Sequence, residues 1–571
     1  MPGRSSGKCR LVQIRYAMTT KGQQFNSSRA LERSSHFPWT IFFVNLLGLS
    51  SAVAVSSEIN IHQQDVQIKA MAISAAGQSS GPSSLTYYVD GLNGNDQHTG
   101  TSTQEAWQSI ARINEVDFDP GDQVLFAGGQ TFTGTLLFEQ NDSGTQERPI
   151  EVSSFGNGRA LIHAGTGCGF QLHSCAHVVV SNLTFVGCGR KSGNNGSGVQ
   201  LRRTQHVKLD SLEVSGFRLS GVYATEDENT RITNVYAHEN GAAGILTYGR
   251  ARTRNLYIGY CVAANNPGDP KNLDNHSGNG ILAGCVDDGL IEYCEAFNNG
   301  WDMPRKGNGP FGIWGYDCDR LIIQHCISHD NKTASGASDG GGFDLDGGAT
   351  RSVLQYNLSY NNHGCGYFFC QYRGAKPWKD NTCRYNVSIN DGLANQFCGI
   401  MIWTDDKGMS NAQIYNNVVI NSRRAIYSQD IPGLSFHNNI LIADKVVIGG
   451  RPNQAVFMNN LYHMPKDGAV SQDGDQVFKT LMEWAQAKGK ETVDGHHTGF
   501  AFDPKLVLPD DLSKLPKDPR QLKNMPFYRL QADSPCIGVG TAIEDNGAID
   551  FFGNPVPSNR QPSLGVHEPN R

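Results

Sequence analysis

Charge is scarce in this chain. Asp, Glu, Lys and Arg make up 18% of its residues, and 48 basic side chains stand against 54 acidic ones. No segment gathers Lys and Arg into a stripe, which excludes a nucleic-acid partner held by its phosphates. Long apolar runs are missing as well: outside residues 37–55 no stretch is long enough to cross a bilayer. Helical periodicity of useful length is absent from the centre of the chain. Glycine, by contrast, is abundant at 65 residues, and much of it recurs at matching positions.

The recurrence organises residues 244–403. Each unit opens on glycine followed by alternating apolar and larger side chains: Gly244-Ile-Leu-Thr-Tyr248, Gly280-Ile-Leu-Ala-Gly284 and Gly312-Ile-Trp-Gly-Tyr316. Gly342-Phe-Asp-Leu-Asp346, Gly366-Tyr-Phe-Phe-Cys370 and Gly399-Ile-Met-Ile-Trp403 follow. Each unit also carries a second apolar strand that leads to a repeated position. That series runs Leu183, Leu212, Val235, Cys261, Cys294, Cys326, Asn357, Asn386, Asn417, Asn439, Asn460, in steps of 21 to 33 residues. A repeat so short cannot bury its own apolar face, whereas stacked copies can, so the chain is a solenoid. Alternation with period two makes its elements strands. Asn and Cys at one turn position would stack as an internal ladder bonded to the turn backbone. The fold expected is all-β, a single-stranded parallel β-helix.

Three of the 14 cysteines fall on the ladder and are expected in the core. Cys168 with Cys175, or Cys285 with Cys318, are the pairs that an oxidising compartment could bridge. Residues 1–57 read as a leader: a basic, polar stretch, the apolar run 37–55, then small residues, the pattern of a signal peptide. Met18 is a candidate start. A single N-terminal membrane anchor is the less favoured alternative, because Pro38 and Asn45 interrupt the run. Residues 58–84 are expected to be a flexible lead-in and 85–568 the β-helix domain, with a helical insertion at about 475–489.

The domain opens with Leu85-Thr-Tyr-Tyr-Val-Asp-Gly-Leu-Asn-Gly-Asn-Asp96, an amphipathic segment over 106–114 and the turn Asp119-Pro-Gly-Asp122. It closes with Asp503-Pro, Ser534-Pro-Cys-Ile537 and Leu564-Gly-Val-His-Glu568. These ends resemble those of secreted, carbohydrate-active, right-handed parallel β-helix proteins of the pectin-lyase-like superfamily. The resemblance covers roughly residues 87–568. It implies a right-handed coil, an N-terminal capping helix and a polysaccharide substrate. Lyases of that superfamily hold calcium with aspartates and use a lysine base.

In each glycine-led strand the residue after glycine (Ile245, Ile281, Ile313, Phe343, Tyr367, Ile400) faces the core. Residues two and four beyond glycine then face outward together. The first outward column is Leu246, Leu282, Trp314, Asp344, Phe368, Met401; the second is Tyr248, Gly284, Tyr316, Asp346, Cys370, Trp403. Asp344 and Asp346 therefore stand side by side on an exposed sheet, with aromatics on neighbouring rungs about 4.8 Å away. Aromatic faces beside acids suit a carbohydrate, and paired carboxylates are what glycosidic cleavage needs.

The rung connections supply further candidates that would overhang the same face. Asp339 and Glu239 are substitute carboxylates, and Lys306 is a candidate base. Arg305, His276 and His363 would bind substrate beside Trp314, Tyr316, Tyr248, Phe368 and Trp403. The function expected is a secreted, monomeric glycoside hydrolase acting on a polysaccharide without a cofactor, Asp344 and Asp346 serving as acid and as base or nucleophile. The alternative is a calcium-dependent uronate lyase with a lysine base, in which Asp339, Asp344 and Asp346 hold the metal. A non-catalytic carbohydrate-binding protein on the same coil is the third reading.

Overall fold

The computed structural model describes residues 84–570. The leader expected over 1–57, and the lead-in over 58–84 apart from Ser84, lie outside the described residues. Among the described residues no helix is long and apolar enough to cross a membrane.

Each turn of the coil contributes one strand to each of three sheets, of 14, 14 and 13 strands. Pairing is parallel throughout except at the last strand of one sheet, where Gln476–Phe478 runs antiparallel to Ala469–Asp473. The side chains expected inward are in the core: Ile245, Ile281, Ile313, Phe343, Tyr367 and Ile400 are all buried. The capping helix is shorter than the amphipathic pattern suggests. It spans Ile110–Ile113, with Ser109 as its N-cap, because Trp107 instead bridges to Val89 and stacks on Tyr87. Near the other end, helix Leu481–Lys488 begins in a capping box of Thr480 and Glu483 and ends at Gly489 in the left-handed conformation. The chain's close is not simply a last rung. After one bridge from Phe500 to Leu461, it returns along the outside, packing Leu522, Tyr528 and Phe551 against the outer side chains Tyr356, Leu358 and Tyr385.

The ladder is present, and it has a polarity. Each side-chain oxygen accepts the backbone N–H of the rung before it: Cys326 N to Asn357 Oδ1 at 2.9 Å, Asn357 N to Asn386 at 3.0 Å, Asn386 N to Asn417 at 3.0 Å. Asn417, Asn439 and Asn460 continue it, and Glu491 closes it. A second ladder runs beside it through Asn240, Asn266, Asn299, Asn331 and Asn362, and closes on Asp391. A terminal acceptor has no further rung to donate to, which suits a carboxyl group. The cysteines expected on the first ladder are there and buried. Neither expected disulfide forms: all four candidate cysteines are free, the Cys318 thiol meeting Ser352 Oγ and the Cys285 thiol Asp317.

Both closing carboxyls carry a pH consequence. Burial raises Asp391 and Glu491 to about 7 each, against partly offsetting hydrogen bonds. A folded-state value above the unfolded one means that the neutral form is favoured by folding. The stabilisation is full below the ordinary carboxylate range and is lost as pH rises through about 7. The melting temperature should therefore fall between about pH 5 and pH 8, and Asp391→Asn with Glu491→Gln should flatten that fall; an unchanged slope in the double variant would contradict it.

Candidate active site

Six neighbouring strands of one sheet build the site: Ala243–Thr247, Asn279–Gly284, Phe311–Tyr316, Gly341–Leu345, Tyr367–Gln371 and Cys398–Thr404. The second ladder fixes where they begin. A Cβ on Gly312 would lie 2.6 Å from Asn331 Nδ2, and one on Gly366 would run into the Asp391 carboxyl. Glycine leads these strands because a side chain would displace the ladder.

The register follows the two columns read from the sequence. Leu246 pairs with Leu282, Leu282 with Trp314, Trp314 with Asp344, Asp344 with Phe368 and Phe368 with Met401. Gly284 pairs with Tyr316 and Cys370 with Trp403. The centre of this face is not exposed, however, although Tyr248 at its edge is. Leu282, Trp314, Asp344, Phe368 and Cys370 are each less than a tenth accessible, because the connections 265–278, 298–310, 330–340 and 390–397 fold over them. Together they enclose a cavity of about 860 Å³.

Asp339, Asp344 and Asp346 all line the cavity, as do Trp314, Tyr316, Tyr248, Phe368, Trp403 and His276. Glu239 does not: it is exposed on a turn, 3.9 Å from His238 Nδ1. Lys306 is exposed outside it. His363 serves a turn, its backbone N–H bonded to Asn331 O and its Nδ1 to Thr333 N. Arg305 binds Asn308 O, and its charge reaches His276 and Asp339 without lining the cavity. No lysine or arginine among the described residues lines it.

The three carboxyls differ in environment. Asp339 adopts a left-handed backbone (φ 63°) before Gly340. Its Oδ2 accepts from Gly309 N at 2.8 Å and its Oδ1 from Gln396 Nε2 at 2.9 Å. Burial, with the charge of Asp346, raises it to about 7 despite those bonds. Asp346 accepts from Gly347 N at 2.7 Å and meets the Cys370 thiol; burial raises it to about 6. Asp344 is 2% accessible and its Oδ1 has no hydrogen-bond partner. Burial first, then the charges of Asp346 and Asp339, push it far above the carboxylate range. Asp344 is thus the carboxyl whose neutral form its surroundings favour most directly, since nothing there stabilises the charge. The three aspartates share a cavity, but among the described residues no group of three or more His, Cys, Asp or Glu is spaced to hold a metal ion.

Phe311, Asn279, Asn308, Gln396 and Tyr372 also line the cavity and escape the two-column reading. Strict alternation puts Asn279 and Phe311 inside the coil. The leading glycine turns toward the ladder instead, so the residue before it emerges on the site face, where Phe311 stacks on Phe368 at 5.7 Å. The others come from connections, whose conformation has no periodic signature.

Fold and site together define a parallel β-helix protein with an acidic, aromatic-walled cavity on one sheet. Residues 150–274 and 271–442 match the family model described as the right handed beta helix region, and the chain belongs to that family. It is 23% identical to a lacto-N-biosidase of Bifidobacterium longum subsp. longum, over 85% of this chain and 36% of that one. The chain thus spans about a third of that curated relative's length. Among solved structures, a GH136 lacto-N-biosidase from Eubacterium ramulus matches with TM-score 0.47 and 20% identity, over 66% of this chain and 68% of that one. The pectate lyase Pel9A matches with TM-score 0.40 and 18% identity, over 86% and 98%.

Proposed function

We propose that the chain is a carbohydrate-active enzyme, and that its chemistry is glycoside hydrolysis. The observation that carries this is the cavity itself: three carboxyl groups in different protonation environments, walled by aromatic rings and lacking a lining cation. A uronate would bring a further negative charge into a space where burial already disfavours ionised carboxyls and no cation offsets it, so a neutral glycan suits it better. Similarity to a lacto-N-biosidase supports the same direction.

Roles follow from the environments. Asp346 ionises first and serves as nucleophile or as the base that activates water. Asp339, anchored by Gly309 and Gln396, keeps its proton longer and delivers it to the leaving oxygen. Asp344 stays protonated between them and donates a hydrogen bond to substrate. The competing lyase chemistry needs a lysine base, and Lys306 lies exposed outside the cavity; Arg305, whose charge reaches Asp339 and His276, is left as its charge clamp.

The pH dependence tests the assignment. Activity should rise as Asp346 loses its proton near about 6 and fall as Asp339 loses its own near about 7. kcat/KM should therefore trace a narrow bell. A flat profile from about pH 5 to pH 9 would remove these two groups from the roles given to them.

A further inference from the structure

Trp314, Asn279 and His276 form a hydrogen-bonded chain on the cavity wall, and each link determines the next. An indole N–H can only donate. Trp314 Nε1 lies 3.1 Å from Asn279 Oδ1, so that oxygen accepts and the orientation of the amide is set. The amide NH₂ then faces Ala242 O at 3.1 Å and His276 Nδ1 at 3.2 Å. Ala242 O, which can only accept, requires the same orientation independently. Since the NH₂ group only donates, His276 Nδ1 must accept, and the proton of the neutral ring resides on Nε2.

The ring is held as well as polarised. It meets Trp314 edge-on, with centroids 5.0 Å apart. Burial, and after it the positive charge of Arg305, lowers His276 to about 4, so the imidazole is uncharged wherever the carboxyls are working. No protein acceptor among the described residues is hydrogen-bonded to Nε2, and the residue lines the cavity.

We propose that His276 is a specificity-determining residue: an uncharged hydrogen-bond donor, locked as the Nε2–H tautomer, that takes an acceptor oxygen of the bound glycan. The oxygen is a ring hydroxyl or an acyl carbonyl; a carbonyl can only accept, and an ionised carboxylate has no proton to give it. The inference rests on the glycan reading of the cavity. Asn279 and Trp314 act through His276 as positioning residues in this respect.

The test begins on the full chain without substrate. In ¹⁵N spectra, with His276 assigned by comparison with His276→Gln, the ring should show a neutral Nε2–H pattern throughout about pH 5 to 8. Asn279→Asp should reverse it, because a carboxylate oxygen facing Nδ1 requires a proton there. An Nδ1–H pattern in the parent chain, or a protonation step within that range, overturns the proposal. On a glycan that is turned over, His276→Leu should raise KM about tenfold and leave the pH profile in place. His276→Gln, whose amide N–H reaches the same position, should recover most of that loss. Equal KM values for the two variants overturn the proposal. If no glycan is turned over while the tautomer is as stated, the hydrolase reading fails and the locked donor stands.

Discussion

Asp346→Asn is expected to lower kcat by about a thousandfold or more while leaving the fold intact. The side chain is nearly isosteric, and an amide oxygen can still accept from Gly347 N, so the local turn keeps its bond. What disappears is the one carboxylate of the three that ionises below neutrality, and with it nucleophilic or general-base assistance. Asp339→Asn should cost a comparable factor by removing the proton donor, with the loss smallest on substrates whose leaving group needs no protonation. Asp344→Asn should behave differently. A protonated carboxyl and an amide both donate, so the loss should be smaller by at least about tenfold, and the pH profile should persist. Equal losses in all three variants would show that the carboxyls do not divide the work this way. Kinetics on each variant, beside its melting temperature, distinguishes the outcomes.

The second large effect is on the fold. Asn386→Leu should lower the melting temperature by several degrees and weaken every rung nearby. Asn386 Oδ1 accepts from Asn357 N at 3.0 Å and from Asn357 Nδ2 at 3.1 Å. Its own Nδ2 donates to Leu354 O at 2.9 Å and to Asn417 Oδ1 at 3.2 Å. Leucine of similar volume leaves these buried partners unsatisfied, at about 1–3 kcal/mol for each group that finds no replacement. Asn386→Cys should cost less, since Cys326 already occupies this position one turn earlier than Asn357 and its sulfur accepts from Cys294 N at 3.4 Å. Thermal unfolding of the two variants checks the order; a leucine variant as stable as the parent would mean that the ladder is packing rather than hydrogen bonding.

The fold and the register were legible because they rest on periods. Strand alternation assigns Asp344 and Asp346 to the same face whatever surrounds them, and the structure pairs Trp314, Asp344 and Phe368 as the columns imply. The second ladder escaped the sequence reading, which found one repeated position, although its spacing is there. Asn266, Asn299, Asn331, Asn362 and Asp391 each follow a first-ladder residue by five positions, but only two of those first-ladder residues, Asn357 and Asn386, are asparagines, which hides the match. Burial of the site was not legible. It depends on how the connections fold back, and chain position alone placed Asp339 and His276 no differently from Glu239, Lys306 and His363. The separating physics is local: Asp339 is drawn in by Gly309 N and Gln396, whereas Glu239 finds only solvent and His238.

Product analysis tests the central claim most directly. The protein is incubated with a panel of neutral and uronic glycans, including the substrate of lacto-N-biosidase, once with calcium and once with a chelator. Hydrolysis predicts new reducing ends on a neutral glycan, unchanged by the chelator and absent with Asp346→Asn. An unsaturated uronate product, detected by its ultraviolet absorbance and lost on chelation, would contradict the hydrolase assignment and move the three aspartates to metal binding.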